Sequence, residues 1–363
     1  MSGTSADGID CALVRAEGCG PGMSASLLCH RHHPYSLDLR KRIYALRGSG
    51  SIELAGMALL GHDISLAYAD SVRDLLNAAN VRSEQICAVA AHGQTLFHQP
   101  PLTIQWLDPS LLAYQTDCVV VSDFRRADCA AGGQGAPLVP FADFLLFRHS
   151  ALSRIILNIG GIANVTCIPA GASIQQVVAF DTGPGNCVSD WLCRRFEPDG
   201  PGFDEGGSRA KRGVVNDSML SQLLASSYFT QPPPKSTDGP AMIQLFEKAM
   251  ARNPAELFEN LLQTSCALTV STILGGIASI SLEWDELIVS GGGANNRAIM
   301  EGLRRAAGRK LITTDALGVP TAAREAMAFA LLGAATLDGE PSNLPAVTGA
   351  GRAVVLGSIT PRP

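Results

Sequence analysis

The chain has 363 residues, of which 46% are hydrophobic and 17% are charged, and its formal net charge is −5. This length exceeds what one hydrophobic core usually organises, so two lobes are expected, and the apolar content argues against extended disorder. The negative charge supplies no basic field for a nucleic acid, which leaves small molecules as the favoured partners.

The first half of the chain alternates predicted strands with predicted helices. A small, polar turn at residues 2–8 precedes a run of strand-forming residues at 9–14. Apolar residues at mostly three- and four-residue spacings predict one or two amphipathic helices across residues 51–79. Short strands are predicted at 86–91 and 119–123. This alternation is typical of the α/β class.

The second half opens in the same manner. Residues 154–157 are predicted to form a strand, 158–161 a glycine turn and 163–168 a second strand. A third strand at 177–180 is predicted to end at the glycine loop 181–185, before a helix over about 186–193. Two halves that each set a strand beside a glycine turn indicate a duplicated architecture, with a cleft between the copies.

The remaining elements are mostly helical. After a proline-rich connector at 231–235, helices are predicted at 242–250 and 256–277, and a strand at 287–290 runs into three glycines. Residues 261–282 carry no charge, but polar side chains such as Gln263 and Thr264 favour a buried helix over a membrane span. The N-terminus has no basic region before an apolar core, so no secretory signal is predicted and a cytoplasmic location is expected.

The ten cysteines include no C-x-x-C pair and no Cys/His cluster of zinc spacing. This predicts neither a metal site nor a disulfide scaffold, and it favours a reducing compartment.

Four glycine-rich turns lie beside predicted strands, at residues 3–8, 160–161, 181–185 and 291–295. Glycine lets backbone amides approach a phosphate without a Cβ in the way. One such turn is more often an ordinary tight turn, but four with flanking Thr, Asp or Asn favour nucleotide binding. None matches the G-x-x-x-x-G-K-[ST] phosphate loop or a G-x-G-x-x-G dinucleotide turn. The remaining pattern resembles that of the actin-like ATPase superfamily, which has two phosphate hairpins, one per lobe, and a late glycine turn at the adenosine.

The order and content of these motifs resemble the anhydro-N-acetylmuramic acid kinase family over nearly the whole chain. The matching segments are MSGTSADGID (1–10), HGQT (92–95), DFRR (123–126), GGQGAPLVP (132–140), NIGGIANVT (158–166), FDTGPGN (180–186), PKST (234–237), GGGANN (291–296) and EAMAF (325–329). The resemblance implies a two-lobed, duplicated actin-like ATPase (ribonuclease H-like) fold of the α/β class with a central interlobe cleft. We expect the N-terminal lobe at residues 1–150 and the C-terminal lobe at 151–363.

The resemblance also implies a reaction. ATP, with Mg²⁺, would phosphorylate oxygen six of 1,6-anhydro-N-acetylmuramic acid while water opens the anhydro bridge, giving N-acetylmuramic acid 6-phosphate and ADP. Such a kinase serves amino sugar metabolism in peptidoglycan recycling. The family resemblance further suggests a homodimer, with no nucleic acid or membrane among its partners.

Asp181 matches the family's catalytic base, and a carboxylate facing a glycine loop suits that task. A helix N-cap or an Asx turn is the alternative role for this residue. The ATP-binding residues that the resemblance implies are Gly3, Thr4, Ser5, Ala6, Asp7, Gly8, Ile9, Asp10, Asn158, Gly160, Gly161, Gly183, Gly185, Gly292, Gly293 and Asn295. The candidates for the sugar are Gln94, Thr95, Arg125, Arg126 and Glu325, and an interlobe salt-bridge network is their alternative.

Asp7 and Asp10 are the acids best placed to hold Mg²⁺, directly or through water, and the alternative for each is a turn cap.

His92 and His98 lie near no cysteine or serine nucleophile motif. We therefore expect both histidines to be structural or to orient the substrate.

The sequence departs from the family pattern at two places. Met1 stands two residues before Gly3, where family members enter the hairpin from a preceding strand, so that strand is expected to be cut short. Ala127 stands where the family often has a third arginine.

Two other functions remain open: a kinase for another sugar or carboxylate, and a non-catalytic ATP-driven switch. A switch should hydrolyse ATP slowly, and ADP release should be the same with and without the anhydro sugar.

Overall fold

The protein is described from a computed structural model at residues 1–3, 6–49 and 51–363. The strands are β1 (Gly8–Glu17), β2 (Ser24–Pro34), β3 (Val89–Ala91), β4 (Gln94–Gln99), β5 (Leu102–Trp106), β6 (Val120–Ser122), β7 (Arg154–Ile159), β8 (Ile162–Ile168), β9 (Val178–Pro184), β10 (Glu286–Ser290), β11 (Lys310–Thr313) and β12 (Ser358–Thr360). The α-helices are α1 (Leu37–Ser49), α2 (Leu54–Ala79), α3 (Pro109–Thr116), α4 (Arg126–Ala130), α5 (Val139–Phe147), α6 (Cys187–Phe196), α7 (Asp217–Leu224), α8 (Ser227–Thr230), α9 (Gly239–Ala251), α10 (Phe258–Ala278), α11 (Arg297–Ala307), α12 (Arg324–Leu337) and α13 (Pro345–Thr348).

One compact unit, unit 1, comprises residues 1–146 and 318–363. Its strands form the antiparallel ribbon β1-β2, the sheet β12-β6-β3 and the hairpin β4-β5. Helix α2 packs against β1 and β2. It does so through an apolar stripe that includes Leu60, Ile64 and Tyr68, which lie in one buried cluster with Ile9 of β1. The helix ends where Asn80 takes a left-handed φ of 52°, a common C-terminal cap.

The other compact unit, unit 2, comprises residues 147–317. Its five-stranded sheet has the order β11-β10-β7-β8-β9. Strand β10 runs parallel to β7 and β11, whereas β8 runs antiparallel to β7 and β9. Successive residues Ile155, Ile156 and Leu157 of β7 are all buried, so both faces of the sheet are covered at this strand.

Helix α10 contains the uncharged stretch that composition alone leaves ambiguous. It is long and apolar enough to cross a membrane. However, 61% of its most apolar 18-residue stretch is buried within the protein. Leu262, Cys266 and Ile273 on this helix belong to the hydrophobic core of unit 2. The prediction of a buried helix is confirmed.

The two units confirm the α/β class, and the single helix α2 confirms the helical prediction at 51–79. Residues 318–363, however, belong to unit 1 and not to the C-terminal lobe where we expected them. The physical reason is packing: α12 lies against β1 and β3. Gly333 on α12 approaches Ala90 so closely that an added Cβ would stand 2.7 Å from the alanine Cβ.

A second expectation also differs from the structure. Strand β9 does not end before Asp181 but continues to Pro184, because Asp181 and Gly183 both pair with β8. The N-cap position of α6 is Asn186. Asp181 is therefore a residue inside a strand, and its alternative role as a helix cap is wrong.

Candidate active site

A row of polar side chains crosses the sheet of unit 2 beside its glycine turns. The register pairs Ser290 with Asn158, Asn158 with Asn164, and Asn164 with Asp181. Paired residues on neighbouring strands place their side chains on the same face of a sheet. The opposite face of the sheet carries a row of buried apolar side chains. This row contains one sequence neighbour of each polar residue: Val289, Leu157, Val165 and Phe180. The carboxyl ends of the parallel strands β10 and β7 thus present polar groups, which is where α/β sheets commonly bind ligands.

Asp181 is half-buried in this row. Its Oδ2 accepts a hydrogen bond from the backbone N–H of Thr237 at 3.0 Å. Burial raises the pKa of Asp181 to about 6, although the Thr237 hydrogen bond acts in the opposite direction. The carboxyl group is thus poised to exchange a proton near neutral pH.

The main-chain groups of Asp181 face away from β8. Its N–H donates to the carbonyl oxygen of Lys235 at 3.0 Å. Its carbonyl oxygen accepts from the hydroxyl of Tyr228 at 2.8 Å. Because both groups bond outward, Asp181 and Asn164 form a non-hydrogen-bonded pair, in which opposing side chains approach most closely.

The turn at Gly160 and Gly161 connects β7 to β8 and abuts the start of α6. The backbone N–H groups of Gly185, Asn186 and Cys187 donate to the carbonyl oxygens of these two glycines at 2.8–3.1 Å. Among the described residues, a Cβ added at Gly161 would meet nothing nearer than 4.0 Å, and one at Gly160 nothing nearer than 3.6 Å. Protein packing therefore does not require glycine here, and the space remains open to a ligand.

Gly292 is similar, because its nearest neighbour would lie 4.0 Å from an added Cβ. It begins a short 3-10 helix, residues Gly292–Asn295, at the end of β10. Asn295 in this turn is exposed. The next residue, Asn296, caps α11 by accepting hydrogen bonds from Ala298 and Ile299.

Four other glycines that the resemblance assigns to ATP are explained by packing within their own unit. An added Cβ would come within 3.0 Å of another atom at each of Gly8, Gly183, Gly185 and Gly293. At Gly185 the obstacle is the carbonyl oxygen of Gly160, at 2.3 Å. These glycines keep the backbone elements in contact, whatever else they do.

In unit 1, the described residues 1–3 and 6–7 precede β1. Thr4 and Ser5 lie outside the described residues, while Ala6 donates its N–H to the carbonyl oxygen of Gly3 at 3.3 Å. Asp7 is exposed. Ile9 is 1% exposed and belongs to the hydrophobic core.

Asp10 is engaged by two histidines from β2. Its Oδ1 lies 3.2 Å from Nε2 of His30 and 3.1 Å from Nδ1 of His32. Burial alone would raise the pKa of Asp10, but these hydrogen bonds hold it below its ordinary value. The carboxylate therefore already has partners, which compete with direct ligation of a metal.

Gln94 and Thr95 begin strand β4. The buried Gln94 donates from Nε2 to the carbonyl oxygens of Gly3 at 3.1 Å and Thr95 at 3.3 Å. Its Oε1 is also buried and has no hydrogen-bond partner among the described residues. An orphaned buried acceptor costs free energy unless a ligand or water supplies a donor.

Arg125 is fixed by neutral partners. Its Nε donates to Nε2 of His92 at 3.1 Å and its Nη1 to the carbonyl oxygen of Gly135 at 2.7 Å. Burial lowers the pKa of Arg125 to about 10, and the charge of Glu325 acts in the opposite direction. Within the described part of the chain, no carboxylate forms a salt bridge with it. A half-buried guanidinium of this kind suits an anionic ligand.

The other charged candidates are less enclosed. Arg126 is exposed and lies 3.4 Å from Oδ2 of Asp123. Glu325 is exposed in the first turn of α12. Of the two adjacent arginines, Arg125 is therefore the better placed to bind an anion.

Asp128 anchors the loop that carries Arg125. The buried carboxylate accepts hydrogen bonds from the N–H of Gly135, from Asn343 Nδ2 and from Thr348 Oγ1, each at 2.7 Å. Gly135 in turn accepts from Arg125. The C-terminal part of unit 1 thus holds the peptide that positions the arginine.

Several residues near these groups were absent from the sequence-based site. Asn164 was missed although it lies within the NIGGIANVT motif, because only the register of β8 and β9 places it opposite Asp181. Thr237 and Lys235 lie in the PKST motif, whose presence signalled a role but not its nature. Tyr228 stands in no motif, and its contact with Asp181 depends on the tertiary structure alone.

The chain is similar to known proteins along almost its whole length. A family model described as anhydro-N-acetylmuramic acid kinase matches residues 1–362. A protein of that name from Bacillus cereus (strain G9842) is 38% identical over 377 residues, which cover 99% of this chain and 97% of the relative. Its counterpart from Bacillus anthracis (strain CDC 684 / NRRL 3495) is 37% identical over 374 residues, with the same coverage.

Two solved structures align over most of the chain at low similarity. The activator of 2-hydroxyisocaproyl-CoA dehydratase from Clostridium difficile, with bound ADPNP, is 12% identical with a TM-score of 0.43, over 90% of this chain and 97% of that chain. A ROK family glucokinase from Streptomyces griseus, in complex with glucose and AMPPNP, is 12% identical with a TM-score of 0.36, over 88% and 98%.

Proposed function

Because this chain belongs to the anhydro-N-acetylmuramic acid kinase family, we propose that Asp181 is the general base of its reaction. The enzyme is a phosphotransferase of peptidoglycan recycling. Water attacks the anomeric carbon of 1,6-anhydro-N-acetylmuramic acid, the bond from that carbon to oxygen six breaks, and oxygen six takes the γ-phosphoryl group of ATP. The products are N-acetylmuramic acid 6-phosphate and ADP.

One observation carries the assignment of the base. Asp181 holds one carboxylate oxygen, Oδ2, in a hydrogen bond with Thr237, while Oδ1 has no hydrogen-bond partner among the described residues. Its pKa of about 6 leaves it largely ionised at neutral pH yet basic enough to take a proton. Oδ1 is therefore the atom that we expect to receive the proton from water.

In unit 2 we assign the nucleotide to the open turns. Gly160, Gly161 and Gly292 leave space that a Cβ would otherwise fill, so a phosphate or a ribose can approach the backbone there. Asn158 lies in the polar row beside them, where its Oδ1 is 3.4 Å from Ser290 Oγ. Asn295, exposed in the same turn as Gly292, is assigned to the adenosine.

In unit 1 we assign residues 3–10 to the ATP phosphates. Mg²⁺, when bound, neutralises charge on the transferring phosphoryl group. Asp7, which is exposed, would hold the ion directly or through water, whereas Asp10, whose carboxylate is engaged by His30 and His32, would hold it through water.

The sugar is assigned to the polar groups around Arg125. Its guanidinium, which lacks a carboxylate partner among the described residues, pairs with the lactyl carboxylate of the substrate. Gln94 Oε1 accepts from the acetamido N–H or from a hydroxyl, which satisfies the orphaned acceptor. Thr95, Arg126 and Glu325 complete the set at more accessible positions.

Replacing Asp181 tests the proposal directly. Asp181→Asn should lower kcat by about a hundredfold or more, since removal of a general base typically costs ~10²–10⁴ in rate. Titration calorimetry with a non-hydrolysable ATP analogue should show nearly unchanged binding. If the variant keeps most of its turnover, Asp181 is not the base.

Isotope labelling tests the nucleophile. An anhydro sugar has no free hydroxyl at oxygen six, so phosphorylation there requires the bridge to break. In water enriched with heavy oxygen, product trapped before anomeric exchange should carry the label on the anomeric hydroxyl and none on the phosphate. Label in the phosphate, or a preference for the already opened sugar, would favour an ordinary sugar kinase.

We also propose that the enzyme works in the cytoplasm, where ATP is available, and that it forms a homodimer. The support for both is the family resemblance. Light scattering of the purified protein measures the oligomeric state, and a monomer at all concentrations would contradict it.

A further inference from the structure

The segment at residues 228–237, which includes Tyr228 and the PKST motif, is attached to strand β9 at the proposed base. Strand β9 is the last strand of its sheet, so one edge of its backbone pairs with no other strand in the described part of the chain. At Asp181 this edge is satisfied by the carbonyl oxygen of Lys235, at 3.0 Å, and by the hydroxyl of Tyr228, at 2.8 Å. The same segment supplies the Thr237 N–H to Oδ2. It therefore touches the N–H, the carbonyl and the carboxylate of one residue.

The side chain of Lys235 links the two ends of this attachment. Its ammonium donates to the carbonyl oxygens of Tyr228 and Phe229, both at 3.2 Å. It also lies 5.0 Å from the centre of the Tyr228 ring, within the range of a cation–π contact. Asp181, Lys235 and Tyr228 thus form a closed ring of contacts. Phe229 packs at Gly183, where an added Cβ would stand 2.9 Å from its ring.

The free-energy cost of burying the Lys235 ammonium indicates that this side chain does more than fill space. Burial lowers the pKa of the Lys235 ammonium, because a charged amine is moved partly out of water to bind two neutral carbonyls. No carboxylate forms a salt bridge with Lys235 in the part of the chain that is described. An apolar side chain would fill the same space without desolvating a charge. The hydrogen bonds of the lysine instead fix the backbone conformation of the segment. The same segment ends at the Thr237 N–H that binds Oδ2.

From these contacts we infer that Tyr228 and Lys235 are positioning residues that orient the Asp181 carboxylate, so that Oδ1 faces the attacking water. The inference rests on the proposed function of Asp181 and adds residues to it. Neither side chain needs to contact the substrate. A carboxylate turned away from its water loses rate steeply, since a misplacement of about 1 Å costs on the order of 10²-fold.

Two substitutions separate positioning from simple packing. Tyr228→Phe removes one oxygen atom and keeps the ring, while Lys235→Met keeps the length of the side chain and removes the ammonium. Exposed residues of the same types, Tyr114→Phe on α3 and Lys248→Met on α9, are the matched controls. Each variant is assayed for kcat, for KM with both substrates and for the pH dependence of kcat, with Asp181→Asn in parallel.

We expect Tyr228→Phe and Lys235→Met to lower kcat by about tenfold while KM changes by less than about threefold. The acidic limb of the kcat profile should move to higher pH, because a weakened Thr237 hydrogen bond no longer favours the ionised carboxylate. The controls should match the wild type. A kcat within twofold of wild type for Tyr228→Phe, with an unmoved acidic limb, would overturn the inference even if Lys235→Met fails to fold.

The parallel variant keeps the two hypotheses distinct. If Asp181→Asn is inactive and Tyr228→Phe is normal, only the positioning role fails. If Asp181→Asn retains turnover, the general base itself is wrong, and the positioning role fails with it.

Discussion

The Nε atom of Arg125 donates a hydrogen bond to Nε2 of His92 across 3.1 Å. The other ring nitrogen, Nδ1, lies 2.9 Å from the carbonyl oxygen of Gly93, so the proton of a neutral ring belongs there. Burial lowers the pKa of His92 well below its ordinary value, and the charge of Arg125 adds to that effect. The histidine is therefore a neutral acceptor that fixes the arginine, in agreement with the structural or orienting role expected from the sequence.

Replacing this acceptor should weaken sugar binding. His92→Leu leaves the Nε–H of Arg125 without a partner, which we expect to cost about 1–3 kcal/mol of unfolding free energy. We also expect KM for the anhydro sugar to rise about tenfold while KM for ATP changes little. His92→Gln retains an acceptor and should recover most of both losses. His98→Gln, whose ring contacts Thr103 instead, is the control, and an equal effect of that substitution would contradict the assignment.

Glycine substitutions should separate ligand space from packing. The Cβ of Gly161→Ala would lie 4.0 Å or more from every described protein atom outside the turn, so the melting temperature should stay near that of wild type. The affinity for a non-hydrolysable ATP analogue should nevertheless fall about tenfold, or ~1.4 kcal/mol. Gly185→Ala places its Cβ 2.3 Å from the carbonyl oxygen of Gly160 and should instead lower the melting temperature by several degrees. Unchanged nucleotide affinity in Gly161→Ala would remove this turn from the ATP site.

The pH dependence of catalysis follows from the same carboxylate. A general base must be ionised, and burial raises the pKa of Asp181 to about 6. We therefore expect kcat to fall below about pH 6 with a slope of one proton. Steady-state rates under saturating substrates, measured from about pH 5 to 8, check this. A flat profile across that range would mean that no group with this pKa acts in the rate-limiting step.

Stability should show the opposite trend for the same residue. The folded pKa of Asp181, about 6, lies above its ordinary value of 3.8, so the folded protein binds this proton more tightly than the unfolded chain does. The proton on Asp181 therefore stabilises the folded protein. This stabilisation is complete below the ordinary pKa and is lost as pH rises through about 6. Asp181→Asn, which carries no charge, should then melt at a higher temperature than wild type at about pH 8, and the gap should close at about pH 4. Thermal melts at both pH values decide it, and a variant that melts lower at the higher pH would argue against this cost of burial.

Asp128 should affect both stability and sugar binding. Asp128→Ala removes the acceptor of three buried hydrogen bonds, so we expect a loss of about 3 kcal/mol or more in unfolding free energy. KM for the sugar should rise because Gly135 no longer holds Arg125. Thr348→Val removes one of the three donors and should cost about 1 kcal/mol with little effect on KM. Denaturant unfolding and steady-state kinetics measure the two effects, and a normal KM in a folded Asp128→Ala protein would separate the loop from the sugar site.

Local pattern was sufficient for much of this molecule. The spacing of apolar residues predicted α2, and the runs of strand formers predicted β1, β7, β8 and β10, because one element needs only its own residues to display a period. The glycine turns and the family motifs were visible for the same reason. They carried the identity of the family, which the comparisons confirm.

The tertiary structure decided what each motif residue does. Whether a glycine serves packing or leaves space for a ligand depends on atoms far along the chain, as Gly293 against Ile159 and the open Gly161 illustrate. The sequence did not show that Arg125 and not Arg126 is held by His92, because that contact forms only on folding. Nor did it show that the Asp10 carboxylate is already engaged by His30 and His32.

The same reason explains the one misplaced segment and the missing neighbours of the base. Residues 318–363 return to unit 1 because α12 packs on β1 and β3, a contact between parts of the chain more than two hundred residues apart. Tyr228 reaches Asp181 across 47 positions of sequence through one hydroxyl. Period and composition report on neighbours along the chain, whereas the pKa of a carboxyl group and the orientation of its oxygens are set by neighbours in space.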